Sequence, residues 1–143
     1  MGLLNNVLQQ FQTIVDGRAD LKSLQTITDG REILAWQLHR SEYPCLVVEV
    51  PQVDLDKEAG DGMEFHGAFV VLDGQPTGKT PAYYWNVLDT LLDIAKGVAD
   101  DLWCESERED EYTYDLDTTL QPIKSHSKDN AYGWRATFTI SYD

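Results

Sequence analysis

Apolar and polar positions alternate through the closing stretch "WRATFTISY". The even positions are Trp134, Ala136, Phe138, Ile140 and Tyr142, and the odd ones are Arg135, Thr137, Thr139 and Ser141. Successive side chains of a strand point to opposite faces, so this period-two pattern predicts a strand with one face in a core. The other face meets water or a partner. Helical spacing rules the opening segment instead. Leu3, Leu4, Val7, Leu8, Phe11, Ile14 and Val15 recur at three- and four-residue intervals, which predicts an amphipathic helix ending near Gly17.

Between these two, "YPCLVVEVP" predicts a strand closed by Pro51, and "MEFHGAFVVLD" predicts a second. Gly67 inside the latter points to a bulge or a close backbone approach. The stretch joining them, "QVDLDKEAGDG", reads as an acidic loop. Thr80 caps a long helix with Pro81 in its first position, where a missing N–H costs nothing. Its buried stripe is Tyr84, Val87, Leu88, Leu91, Ala95, Val98 and Leu102.

"TDGREILAWQLHRS" leans toward a helix, with a strand as the alternative. The segment "CESEREDEYTYDLD" reads as a solvated loop or an edge hairpin. "TTLQPIKSHS" predicts an edge strand, because Pro122 removes a ladder donor. The turn residues of "SKDNAYG" then join it as a hairpin to the closing strand. The sum is a single α+β domain over residues 1–143: a small, mostly antiparallel sheet, an N-terminal helix, and a long helix packed on one face.

Charge narrows the range of functions. Twenty-five acidic residues against 11 basic ones give a net charge of −14, which opposes sequence-specific nucleic acid binding and anionic membrane surfaces. The opening residues lack the basic start and continuous apolar run of a signal peptide, and no run is long enough to span a bilayer. Without a secretory signal, Cys45 and Cys104 are expected as free thiols.

Motifs that mimic chemistry fail on spacing. "LDGQPTGKT" follows a strand and precedes a helix, as a phosphate loop does. Asp73 nevertheless stands where the first Gly belongs, and Pro76 and Pro81 delete backbone donors. "DLDKEAGDGMEF" alternates Asp54, Asp56 and Glu58 as a calcium loop would, but it places Ala59 at the Gly position and Phe65 at the final Glu position. His39, His66 and His126 show no paired zinc spacing, which leaves only a cluster formed in three dimensions, with Cys45 for example. Ser125-His126-Ser127 has no nucleophile elbow. The sequence therefore predicts no enzyme, no cofactor and no dedicated metal site.

The aromatic residues carry more information. Eleven Trp and Tyr side chains exceed what one small core encloses, and both types favour interfaces. Tyr83 and Trp85 flank the buried stripe of the long helix. Together with Trp36 and with Thr137 on the outer face of the closing strand, they are the candidate oligomer interface. Glu105, Glu107, Glu109, Asp110, Glu111, Asp115 and Asp117 form the candidate acidic surface.

The element order, with "YPCLVVEVP" and "DNAYGWRATFTI" as its most specific segments, resembles the small neck proteins of tailed bacteriophages. The nearest type is the tail terminator or tail-completion protein. That resemblance implies a structural virion protein without catalytic activity, made in the host cytoplasm and assembled as a hexameric ring. The ring would join tail tube to head connector, contact other neck and tail proteins, and let DNA pass through an acidic lumen. The alternative from another class is a monomeric acidic cytosolic adaptor that binds a basic protein through exposed aromatics.

Overall fold

A computed structural model describes residues 2–28, 42–56, 62–74, 80–108, 112–124 and 131–142. In chain order the elements are α1 (Leu3–Asp16), β1 (Ser23–Ile27), β2 (Cys45–Glu49), β3 (Gln52–Asp56), β4 (Gly62–Asp73), α2 (Pro81–Arg108), β5 (Tyr112–Lys124) and β6 (Tyr132–Tyr142). The strands form one six-stranded sheet in the order β1-β2-β4-β6-β5, with β3 also paired to β4. Only the β1–β2 pair is parallel among these; the rest are antiparallel. The expected α+β class is what the chain adopts.

Both helices pack on one face of the sheet. Val7, Phe11, Ile14 and Val15 of α1 and Leu91, Ala95, Val98 and Leu102 of α2 meet Phe65, Phe69, Phe138 and Ile140 in one core. Phe11 is fully buried, with its ring 6.0 Å from that of Phe69 and 5.5 Å from that of Phe138. Burying a side chain of this size contributes about 1.5–3 kcal/mol. The indole of Trp134 donates to the Leu88 carbonyl at 2.9 Å and ties β6 to α2. Arg18, just beyond α1, lies over Gly97 of α2 and bonds Asp101 at 3.1 Å and Asp20 at 2.9 Å. A side chain at Gly97 would displace that guanidinium.

The opposite face of the sheet has two unlike halves. Toward β1, a second apolar cluster forms from Ile27, Tyr43, Cys45, Val47, Val70, Leu72 and Ala131. Buried on both faces, β2 and the second half of β4 read as continuous apolar runs rather than alternating ones. Toward β3, the same face is polar and open.

Several expectations are corrected. The segment read as an acidic loop after Pro51 begins with β3, because Val53 and Leu55 alternate with Asp54 in register with β4. Gly67 makes no bulge, since β4 pairs with β6 without a break from Met63 to Asp73. The amphipathic α1 forms as expected, although Leu4 and Leu8 of its apolar set are 45% and 37% exposed and border an apolar groove with Val50 and Pro51. β1 belongs to a stretch to which the sequence reading assigned no element. Thr80 caps α2 as expected, its hydroxyl accepting the Tyr83 N–H at 3.3 Å. The closing hairpin, with β5 at the sheet edge, also forms as expected. "TDGREILAWQLHRS" and "GQPTGKT" lie wholly or mostly outside the described residues.

Candidate functional site on the open sheet face

On the polar half of the open face, three strands bring side chains together through register alone. Asp54 of β3 stands opposite Glu64 of β4, and His66, two residues further along β4, stands opposite Thr139 of β6. Glu64 and His66 share a face because they are two apart on one strand. The His66 Nε2 lies 3.0 Å from Asp54 Oδ2 and 3.3 Å from Glu64 Oε2. Its Nδ1 lies 3.1 Å from Thr139 Oγ1. One ligand atom from each of Asp54, Glu64 and His66 falls within 4.8 Å of the others. The imidazole is therefore held between a hydroxyl on one side and two carboxylates on the other.

Further along the same face, Arg135 of β6 makes a two-pronged pair with Glu49 of β2. Its Nε and a terminal nitrogen each lie 3.0 Å from a different carboxylate oxygen. The fork geometry of guanidinium matches a carboxylate, and such charge-assisted bonds are the stronger kind. The bond to Glu49 raises the Arg135 pKa, with burial opposing. Thr137, between Arg135 and Thr139 on this face, is half-buried.

The aromatic candidates lie on the other side of the molecule. Tyr83 and Trp85, on the first turns of α2, are 40% and 74% exposed, and Trp103 is 52% exposed. Trp85 and Trp103 are eighteen residues apart, which is five helical turns, so both project from one line along the helix. The proposed interface residues thus form two surfaces, with Thr137 on the open sheet face and Tyr83 and Trp85 on the helical side. Trp36 lies outside the described residues.

Of the two expectations for the acidic segment, a solvated loop or an edge hairpin, its second half follows the latter and its first half is helical. Helix α2 continues through Glu105 and Glu107 to Arg108, and β5 begins at Tyr112, so Asp115 and Asp117 belong to a strand. Glu and Arg are good helix formers, and the alternation of Tyr114 and Leu116 with Asp115 suits an edge strand. Asp115 is exposed. Glu109, Asp110 and Glu111 lie outside the described residues, as do His39 and His126.

The sequence reading missed the grouping around His66. It treated Asp54 as a loop residue, which hid its register with Glu64. The usable signals were Glu64-Phe65-His66 on a strand and the alternation of "QVDLD". His66 meets these two carboxylates rather than Cys45, which is buried in the apolar half of the face.

No protein-family model matches the chain, and no curated protein matches it either. Among the described residues, no helix is long and apolar enough to cross a membrane.

Proposed function

We propose that the chain is a structural subunit of a ring in the neck of a tailed-phage virion, of the tail terminator type. The observation that supports this reading is the pair of unlike exposed surfaces on opposite sides of the fold. One carries Tyr83, Trp85 and Trp103 along α2, and the other is the polar sheet face that includes Thr137. Rings close through head-to-tail contacts, in which one surface of a subunit meets a different surface of the next. A subunit built for that geometry needs two complementary patches, and exposed Trp and Tyr are the residues that anchor such contacts.

The charge fits the same role. A lumen lined by acidic subunits repels phosphates, so DNA passes without adhering. Repulsion between subunits of net charge −14 is screened beyond about 8 Å at physiological salt, so assembly strengthens from low to moderate ionic strength. Partners on this reading are further copies of the chain and the neighbouring neck and tail proteins.

Native mass spectrometry over a salt series, with negative-stain imaging, tests the proposal. Closed rings are expected, with or without tube protein present. Trp85→Arg and Thr137→Arg should each abolish rings while leaving the monomer folded. A monomer under every condition, which instead captures a basic protein through Trp85, would establish the adaptor reading in its place.

A further inference from the structure

We propose that Asp54, Glu64 and His66 form a binding site for a divalent transition-metal ion of the zinc class on the open face of the sheet. The geometry carries this. Nitrogen and oxygen donors bind such an ion at about 2.0–2.2 Å, so neighbouring donors in a tetrahedral or octahedral shell lie about 2.8–3.6 Å apart. The distances from His66 Nε2 to Asp54 Oδ2 and Glu64 Oε2 are 3.0 and 3.3 Å. Both fall inside that window.

A proton on Nε2 serves this arrangement less well. A single N–H points along one direction and makes one well-aligned bond. Here two carboxylate oxygens crowd the same nitrogen. The three donors lie within 4.8 Å of one another, so small side-chain adjustments of the two exposed carboxylates let one cation engage all of them.

His66 is also oriented for the task. A metal-bound imidazole uses its second nitrogen to donate to a neighbouring acceptor, which fixes the tautomer and the ring plane. Thr139 Oγ1 occupies that position, 3.1 Å from Nδ1. Thr139 is a positioning residue, supplied by a third strand that contributes no ligand. The backbone ladder sets all four residues, because Asp54–Glu64 and His66–Thr139 are directly paired across strands.

The donor set selects the metal. One imidazole nitrogen with two carboxylate oxygens suits zinc, cobalt or manganese, whereas calcium prefers six or more oxygen ligands. Three protein ligands leave coordination positions for water or an incoming group. With the side chains of Asp54 and Glu64 61% and 49% exposed, those positions face solvent. The site lies on the sheet face that the ring reading gives to a subunit contact, but all its ligands come from one chain and it needs no second subunit.

Calorimetric titration of the full chain with zinc chloride, repeated with calcium chloride, tests the site near neutral pH. Absorption with cobalt chloride reads the coordination directly. One saturable zinc per chain is expected, with calcium weaker. His66→Ala and Glu64→Gln should each weaken zinc by about tenfold or more, and Thr139→Val by about tenfold through loss of orientation. Glu64 is exposed, so its variant remains informative even if His66→Ala disturbs folding. Asp89→Asn with Asp93→Asn, an acidic pair on α2, serves as the control and should change nothing. Zinc affinity unchanged in both His66→Ala and Glu64→Gln, or lowered equally by the α2 control, would overturn the site and leave only diffuse attraction to an acidic surface.

Discussion

The ring of Phe138 on β6 lies against Gly67 on β4, so close that a Cβ at Gly67 would sit 2.8 Å from the ring's Cζ. The two residues are direct partners in the ladder. The missing side chain of one is the space that the other fills. Gly67→Ala should therefore cost about 1–3 kcal/mol by overpacking, and Phe138→Ala about 3–5 kcal/mol through the cavity it leaves. Thr137→Ala, on the opposite face of the same strand, should cost about 1 kcal/mol or less. Urea melts measure all three. In a Phe138→Leu background the penalty for Gly67→Ala should shrink, since contacting residues do not behave additively.

Arg135 and Glu49 tie β6 to β2 across the intervening β4. The Glu49 side chain is only 12% exposed, so Arg135→Ala leaves a poorly solvated carboxylate without its partner. The expected loss is about 1–3 kcal/mol. A double-mutant cycle with Glu49→Gln should give a coupling of about 1–2 kcal/mol. Additive losses would mean that the pair is held by its surroundings and contributes nothing of its own.

The two cysteines should differ sharply in reactivity. Cys45 is buried in the sheet, and burial pushes its thiol pKa far up, with Asp73 and Glu42 adding to the effect. Cys104 is exposed on α2. Since the thiolate is the reacting species, a colorimetric thiol reagent should titrate one group in the folded chain and two in denaturant. Two fast thiols in the native protein would contradict the packing of β2.

Asp73 ends β4 half-buried, and its carboxylate accepts the Gly74 N–H at 2.8 Å. Desolvation raises its pKa, with that hydrogen bond opposing. Because the folded value lies above the unfolded one, its contribution to stability is fully present below about pH 4 and is lost as pH rises through the folded pKa. Asp73→Asn, neutral throughout and still able to accept from Gly74, should be more stable relative to the parent at neutral pH than at acid pH. Paired urea melts at the two pH values check the sign.

Most of the fold was legible because its signals are local. The alternation from Trp134 to Tyr142, the stripe of α2 and the cap at Thr80 each depend on a few neighbouring residues and a known period. What escaped depends on pairing partners far away in sequence. β3 is short and acidic, and only its register with β4 makes it a strand. The exposure of Leu4 and Leu8 depends on how α1 sits beside Thr26, Val48, Val50 and Pro51, which no periodicity of α1 encodes. The grouping of Asp54, Glu64, His66 and Thr139 needs three strands aligned at once. Its chemistry was visible one residue at a time, and its geometry was not.

The sheet order places β6 between β4 and β5, although β6 follows both in the chain. Its eleven-residue ladder with β4 closes a loop that contains all of α2 and β5. Until that ladder forms, two long strand edges stay unpaired, and one of them borders the apolar run at Phe69, Val70 and Val71. Unpaired edges of this kind template association between chains. Expression yield should therefore respond most to changes within residues 132–142, because the strand made after both of its neighbours shields their edges from other copies of the chain.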